Sequence, residues 1–197
     1  MKKNNGNRQV AFTLSEAVGR DLTPERIGGK AHGLVRMSRL GLAVPPAFFV
    51  TTGVSRAYLQ TTELPQRTHF HVGRCLEWLE RTTGKRFGDP SNPLLVSVRS
   101  GASVSMPGMM DTILNLGLTP AMLPALAAFG GEQFAQKTYR RFVDGFRKVT
   151  GSEPPADPRM QLQMAIEAVC FSWTNDRAIA YRKQNGIAEN LGTAVTV

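Results

Sequence analysis

The stretch LLVSVRSGASVSMPGMMDTILNLGL, residues 94–118, constrains the fold more than any other part of the chain. Its first apolar run predicts a buried strand, which leads into a polar Gly/Ser turn that contains Arg99. A methionine-rich loop around a Pro-Gly pair follows, and then a second apolar run. A strand that delivers an arginine into such a turn presents positive charge and backbone N–H groups together, which is a common way to bind phosphate. We therefore expect a phosphorylated ligand near this stretch.

A second candidate for anion binding lies at Gly28, Gly29 and Lys30, before a predicted helix over residues 30–40. The glycines permit a tight turn, and the first N–H groups and the dipole of a helix favour an anion at its start. Lys30 would lie beside that anion. A lone GGK is a weak motif, so an ordinary turn with a solvated lysine remains the alternative interpretation.

The remaining pattern predicts an α+β fold in which a small mixed sheet is flanked by helices. Its strands are expected over residues 47–51, 94–98 and 192–197. Apolar residues spaced by three and four predict two long C-terminal helices over residues 132–149 and 159–184. Neighbouring residues on a helix diverge by about 100°, so one of the two arginines at 140 and 141 could point into a site. A solvated helix face is the alternative.

The chain divides into four predicted segments. Residues 1–19 are a flexible basic tail and lead-in, and residues 20–150 are a nucleotide-binding lobe. The Pro-rich residues 151–158 are a linker, and residues 159–197 are a helix plus strand that begin a truncated half-domain. Because the chain stops within its last predicted strand, we expect it to be a piece of something longer.

Charge and composition narrow the classes of partner. The formal net charge is +9, from 24 Lys and Arg against 15 Asp and Glu, which favours an anionic ligand. The basic residues form no aromatic-interleaved repeat and no nucleic-acid-binding signature, so no nucleic-acid partner is expected. No apolar run approaches the roughly 18–20 residues that span a bilayer, so no membrane partner is expected either.

The metal-binding residue types are sparse. The two cysteines, Cys75 and Cys170, are far apart and predict neither a zinc site nor a disulfide framework, so a reducing cytoplasm is the expected location. His69 and His71 have no third ligand nearby. A kinase-like site needs carboxylates to hold magnesium, and none of the acidic residues forms a paired motif. The sequence thus shows the positive half of a nucleotide site and no metal half.

The sequence resembles the pyruvate, phosphate dikinase family over roughly residues 20–197. The run SMPGMMDTILNLGL is the most specific part of the resemblance. The other segments that carry it are GGK at 28–30, VPP at 44–46, SVRSGA at 97–102, FAQKTYRRF at 134–142, FSWTNDRAIAYR at 171–182 and GTAV at 192–195. The resemblance implies the N-terminal part of an ATP-grasp-type nucleotide-binding domain.

The resemblance also implies a reaction. The family transfers the β-phosphoryl group of ATP to a histidine on a separate domain, while phosphate takes the γ-phosphoryl group. A barrel domain then passes the histidine's phosphoryl group to pyruvate, which gives phosphoenolpyruvate. By this resemblance Lys30 and Arg99 contact phosphate, Arg141 is a further phosphate-binding arginine, and Gly108 belongs to a flexible loop that closes over the phosphates. ATP and Mg²⁺ are the implied cofactors, with the magnesium ligands outside this chain.

Departures from the family pattern limit what this chain is expected to do alone. Ser103 stands where the family usually has arginine, and Ala47 stands where it has glycine. A long helical insert between residues 142 and 159 is replaced by the short linker. The magnesium carboxylates, the phosphohistidine domain and the pyruvate-binding barrel are absent. We therefore expect no catalytic residue here and no turnover by the isolated chain, although the resemblance allows a homodimer.

Two other functions remain open on the sequence alone. The chain could be a non-catalytic nucleotide-binding or regulatory module that pairs with a separately encoded remainder through an exposed sheet edge at residues 192–197. It could also be a remnant with no biochemical role, for which aggregation through the same edge would be the sign.

Overall fold

The structure is a computed structural model that describes residues 9–197. The basic residues of the predicted tail, residues 1–8, lie outside the described range. The α-helices within it are α1 Leu14–Val18, α2 Pro24–Arg39, α3 Thr52–Thr61, α4 Gln66–Thr83, α5 Leu123–Gly130, α6 Glu132–Thr150, α7 Pro158–Phe171 and α8 Asp176–Asn185. The strands are β1 Ala11–Thr13, β2 Phe48–Val50, β3 Arg86–Phe87, β4 Pro93–Leu94, β5 Val96–Gly101, β6 Thr112–Leu116 and β7 Ala194–Thr196.

The predicted α+β fold is confirmed, and its centre is a five-stranded sheet in the order β1-β2-β7-β5-β6. Every neighbouring pair in this sheet is antiparallel. The expectation of a mixed sheet is therefore wrong. Strands β3 and β4 form a separate two-stranded parallel ribbon. In the main sheet Arg99 of β5 is paired with Thr112 of β6 on one side and with Thr196 of β7 on the other.

The sheet separates two apolar clusters because successive strand residues point to opposite faces. On one face, called here the core face, Phe48, Val98 and Ile113 pack with residues of α4, α6 and α7 in the larger cluster. On the other face, called the α2 face, Phe12 and Phe49 pack with α1 and α2. The α2 face is covered over β1 and β2 but open over β6, where Thr112 and Leu114 are exposed.

The described residues of the predicted tail and lead-in belong to the folded domain. β1 is the edge strand of the sheet, and Ala11 and Phe12 are fully buried. Thr13 and Glu16 form a reciprocal capping box that begins α1, because the Thr13 hydroxyl accepts from the Glu16 N–H and the Glu16 carboxylate accepts from the Thr13 N–H. The division at residue 19 therefore does not coincide with a boundary in the structure.

The last strand is the centre of the sheet and not its edge. β7 pairs with β2 through Phe49–Thr196 and with β5 through Arg99–Thr196, so both of its hydrogen-bonding edges are occupied. Ala194 and Val195 are buried. The prediction of an open sheet edge at residues 192–197 is thus wrong. A regulatory module could not pair with a separate chain through this strand, because both of its edges are already used.

The first long C-terminal helix is confirmed as α6, but the second is broken into α7 and α8. α7 ends at Phe171, and a 3₁₀ turn over Ser172–Thr174 leads to Asn175 in an extended conformation. Polar side chains hold the break: the Ser172 hydroxyl donates to the Val169 carbonyl, and the Asn175 amide donates to Asp111. The single helix predicted over residues 159–184 is therefore interrupted at residues 172–175.

Among residues 9–197, no helix combines the length and apolar character needed to cross a bilayer.

Candidate functional site

The site is built around a close approach between α2 and the end of β5. Gly28 has φ +82° and ψ 158°, so it breaks α2, and the helix continues beyond it. The Gly29 N–H donates to the Ala102 carbonyl at 2.9 Å. The predicted glycine turn before a helix is present, although this N–H is already used by the protein and is not free for an anion.

Lys30 projects from the first turn after this break. Its ammonium donates to the Ser100 carbonyl at 2.9 Å, which places the charge beside the end of β5. Partial desolvation and, secondarily, the charge of Arg99 lower the pKa of Lys30. An ammonium has three donors, so the hydrogen bond to Ser100 leaves two for a ligand.

Arg99 is an exposed residue of β5 and belongs to the strand, not to a turn. β5 runs on to Gly101 because Ser100 and Gly101 continue the pairing with β7. The side chain of Arg99 has no hydrogen bond or ion pair within the part of the chain that the structure describes. Its influence on the pKa of Lys30 shows that the two cations lie near each other on the α2 face.

The methionine-rich loop, residues 102–111, forms the other wall of a cleft of about 650 Å³ whose lining includes Lys30 and Gly108. Within the loop the Met109 N–H donates to the Met106 carbonyl at 3.2 Å, and Gly108 has φ +73°. With Pro107 at the second position this is the pattern of a type II turn, which requires a positive φ where Gly108 lies. The hydroxyl-bearing residues that line the cleft are Ser100, Ser103, Ser105 and Thr112.

The loop is attached to the segment that joins α7 and α8. The side chain of Met106 is buried against Trp173 and Ala178, which explains one of the methionines that look out of place in the sequence. Asp111 accepts two hydrogen bonds from residues at the start of α8, one from the Asn175 amide at 2.8 Å and one from the Arg177 guanidinium at 3.0 Å. Arg177 also donates to the Gly108 carbonyl at 3.3 Å.

The side chain of Trp173 contacts a buried cation, Arg182. The guanidinium of Arg182 lies 4.2 Å from the Trp173 ring centroid and donates to the Trp173 carbonyl at 2.6 Å. Burial lowers the pKa of Arg182, and Glu189 partly opposes this effect. Sequence reasoning did not predict that Asn175 and Arg177 bind Asp111 or that Trp173 packs on Met106. These contacts join residues distant in sequence, which periodicity does not reveal.

Arg141 is not brought to the cleft. It lies on the exposed side of α6, and the buried side of the same helix, Phe142 and Phe146, packs on the core face. The cleft opens on the α2 face and Arg141 is not among its lining residues. Of the four residues predicted for the site, Lys30 and Gly108 line the cleft, Arg99 lies near Lys30 but lines a neighbouring groove, and Arg141 lies apart.

The described residues do not fit a magnesium site. Among residues 9–197 no three His, Cys, Asp or Glu side chains lie close enough to hold a metal ion. Asp111, the carboxylate of the loop, is already bound by Asn175 and Arg177.

Comparison with known proteins identifies the family. The profile described as "Pyruvate phosphate dikinase, AMP/ATP-binding domain" matches residues 71–197. The chain belongs to this family. The dikinase named "Pyruvate, phosphate dikinase 1, chloroplastic" of Oryza sativa subsp. japonica is 36% identical over 238 residues, and the match covers 96% of this chain and 25% of the relative. "Pyruvate, phosphate dikinase" of Giardia intestinalis is 39% identical over 225 residues, and the match covers 90% of this chain and 26% of the relative.

The dikinase match contains the residues of the cleft. The family profile includes Arg99, Gly108 and Asp111 with its hydrogen-bond donors. The relatives extend the similarity to Lys30, since a 96% match leaves only about eight residues out. The chain spans about a quarter of the length of these dikinases. Their match runs over 238 positions although 96% of this chain is about 189 residues, so the Oryza dikinase carries about 50 further residues within the matched region.

Proposed function

We propose that this chain is the ATP-binding portion of a pyruvate, phosphate dikinase and that the cleft beside Lys30 holds the phosphates of the nucleotide. The observation that supports the proposal is the position of Lys30, whose ammonium lies on the Ser100 carbonyl at the mouth of a cleft lined by hydroxyl groups. Family membership and the names of the relatives supply the nucleotide and the reaction class.

The electrostatics of the cleft favour a polyanion. Lys30 and Arg99 lie close enough for the charge of one to depress the pKa of the other, so the two cations repel when no ligand is present. A phosphate group between them would remove this repulsion and form charge-assisted hydrogen bonds with both. We therefore expect nucleotide binding to raise the pKa of Lys30 towards its ordinary value.

The methionine-rich loop forms one wall of this proposed site. Its type II turn places Gly108 at the rim of the cleft, where the absence of a side chain leaves room for a phosphate to approach the backbone. In the proposed full reaction the bound ATP donates a phosphoryl group to a histidine on another domain, and pyruvate receives it. This chain would bind and orient the phosphates, with no catalytic residue assigned to it.

A titration with ATP tests the proposal. Backbone amide signals of residues 28–31 and 100–112 are expected to shift in a saturable way, with weak affinity and without magnesium dependence. Lys30→Gln and Arg99→Gln should each weaken binding about tenfold or more, because each removes a charged hydrogen bond to phosphate. Lys137→Gln, which removes an exposed lysine of α6, is the matched control for net charge and should bind as the wild type does.

Two results would contradict the proposal. Equal ATP affinity in Lys30→Gln, Arg99→Gln and the control would place the phosphates elsewhere. Tight magnesium-dependent binding, or formation of phosphoenolpyruvate by this chain alone, would contradict its role as one portion of a larger site.

A further inference from the structure

A second cavity lies on the core face of the sheet, between α4 and α7. Its volume is about 210 Å³, compared with roughly 150 Å³ for a cavity that accepts benzene. Its floor is apolar and consists of Leu64, Val72, Leu76, Leu162 and Ile166. It shares no lining residue with the cleft beside Lys30.

A glycine keeps this cavity open. Gly73 lies inside the 18-residue helix α4, where alanine is intrinsically more stable than glycine. A Cβ atom at this position would meet nothing within 4 Å, so no neighbour requires glycine there. Gly73 lines the cavity, and any larger side chain would reduce the space.

A buried hydroxyl without a partner lies in the same wall. Thr68 is one helical turn before Val72 and lines the cavity, and its side chain is 1% exposed. Its Oγ1 has no hydrogen-bond partner among the described residues. A buried polar atom without a partner destabilises the fold, so a ligand that supplied one would gain free energy at this position.

The rim of the cavity carries one basic side chain, Arg159. Arg159 and His69 line it, and the side chain of Arg159 has no hydrogen bond or ion pair within residues 9–197. The one carboxylate of the rim, Asp157, is the N-cap of α7 and accepts from the Arg159 N–H at 2.9 Å. The Arg159 guanidinium is therefore the group on the rim that a carboxylate of a ligand can face.

We propose that this cavity binds a small carboxylate with a single apolar ring, of about ten non-hydrogen atoms. The ring would occupy the floor between Val72 and Ile166. The carboxylate would accept a hydrogen bond from the Thr68 hydroxyl and face the Arg159 guanidinium. A volume of about 210 Å³ admits a single ring.

Benzoate is the probe, and benzylamine, which has a similar shape and the opposite charge, is its control. In amide-detected NMR titrations benzoate should cause saturable shifts at residues 68–76 and 159–166, in the millimolar range expected for a ligand of this size. Benzylamine should bind at least fivefold more weakly. Thr68→Val and Arg159→Gln should each weaken benzoate binding by a similar factor, whereas Thr68→Ser should retain it.

A cavity-filling variant completes the test. Gly73→Leu should raise the melting temperature and abolish the benzoate shifts, and its intact amide spectrum will show that it folds. The proposal is overturned if benzoate causes no saturable shift in the wild type, if the shifts persist in Gly73→Leu, or if they map to residues 28–31 and 100–112. In the last case benzoate would be acting as a phosphate mimic in the other site, and the proposed nucleotide function would stand unchanged.

Discussion

The backbone of Gly28 approaches Gly101 so closely that a Cβ atom at position 28 would lie 1.7 Å from the Gly101 carbonyl oxygen. Gly28 also has a φ of +82°, which L side chains rarely adopt. We predict that Gly28→Ala destabilises the domain by at least about 2 kcal/mol, through the clash and the strained backbone together. Urea unfolding followed by circular dichroism measures this loss.

The same helix offers the control for this prediction. Gly33 lies in α2, and a Cβ atom there would meet nothing within 4 Å. Gly33→Ala should therefore stabilise the domain by about 0.5–1 kcal/mol, because alanine loses less backbone entropy in a helix. If Gly28→Ala left the unfolding midpoint unchanged or raised it as Gly33→Ala is expected to do, the close packing of α2 on β5 would be refuted.

The lowered pKa of Lys30 predicts an alkaline limit to nucleotide affinity. Desolvation and the nearby Arg99 make the ammonium lose its proton below the ordinary lysine value of about 10.4. ATP affinity should therefore fall as pH rises towards that value. Lys30→Arg retains its charge throughout, so its affinity should be flat over the same range. Binding titrations from about pH 8 to pH 10 make the comparison; parallel pH profiles for both proteins would exclude Lys30 from the site.

The same shift has a defined effect on folding. Because the folded-state pKa of Lys30 lies below the unfolded one, the unfolded chain binds more protons between these two values. The contribution of Lys30 to the free energy of unfolding thus rises with pH in that window. Bound nucleotide should reverse the trend, since it restores the pKa of Lys30.

The hydrogen bonds to Asp111 predict a local, not a global, effect of mutation. The side chain of Asp111 is 21% exposed and that of Arg177 is 58% exposed, so their coupling should not exceed about 1 kcal/mol. Asp111→Ala should increase amide hydrogen exchange in residues 102–111 while leaving the melting temperature almost unchanged. Asp144→Ala, which removes an exposed ion pair of α6 with Arg147, should leave exchange in the loop as it is. Unaltered loop exchange in Asp111→Ala would show that Met106 alone holds the loop.

Features with a strong local signal were predicted from the sequence. The 3.6-residue period around Phe142 and Phe146 predicts α6, and both side chains are buried. Gly28 and Gly29 predict a turn before a helix, although only the structure shows that the Gly101 carbonyl requires glycine there. Periodicity did not predict the break between α7 and α8, and it does not show that Phe134 of α6 is 42% exposed.

Features that depend on partners distant in sequence were not predictable. β7 has three residues, and nothing local shows that it lies between β2 and β5 at the centre of the sheet. Arg99 was assigned to a turn because Ser and Gly follow it, but pairing with β7 continues the strand through both. The contact of Met106 with Trp173 joins residues 67 positions apart, so the local sequence does not show what this methionine packs against.

The two cysteines provide a probe of the core. Burial raises the pKa of the Cys75 thiol to about 12, and it does the same for Cys170. Neither thiol should therefore react with a disulfide reagent at about pH 8 in the folded protein, because the thiolate is the nucleophile and both sulfurs are buried.

The two thiols should react with the reagent only when the protein unfolds. The variants Cys75→Ala and Cys170→Ala show which thiol gives each phase of the labelling reaction. The unfolded thiols ionise near pH 8.5, so the unfolded chain binds fewer protons than the folded one between that pH and about 12, and the free energy of unfolding should fall as pH rises through this window. Rapid labelling of Cys170 without denaturant would show that α7 opens locally, and the buried packing of α7 against the sheet would then have to be revised.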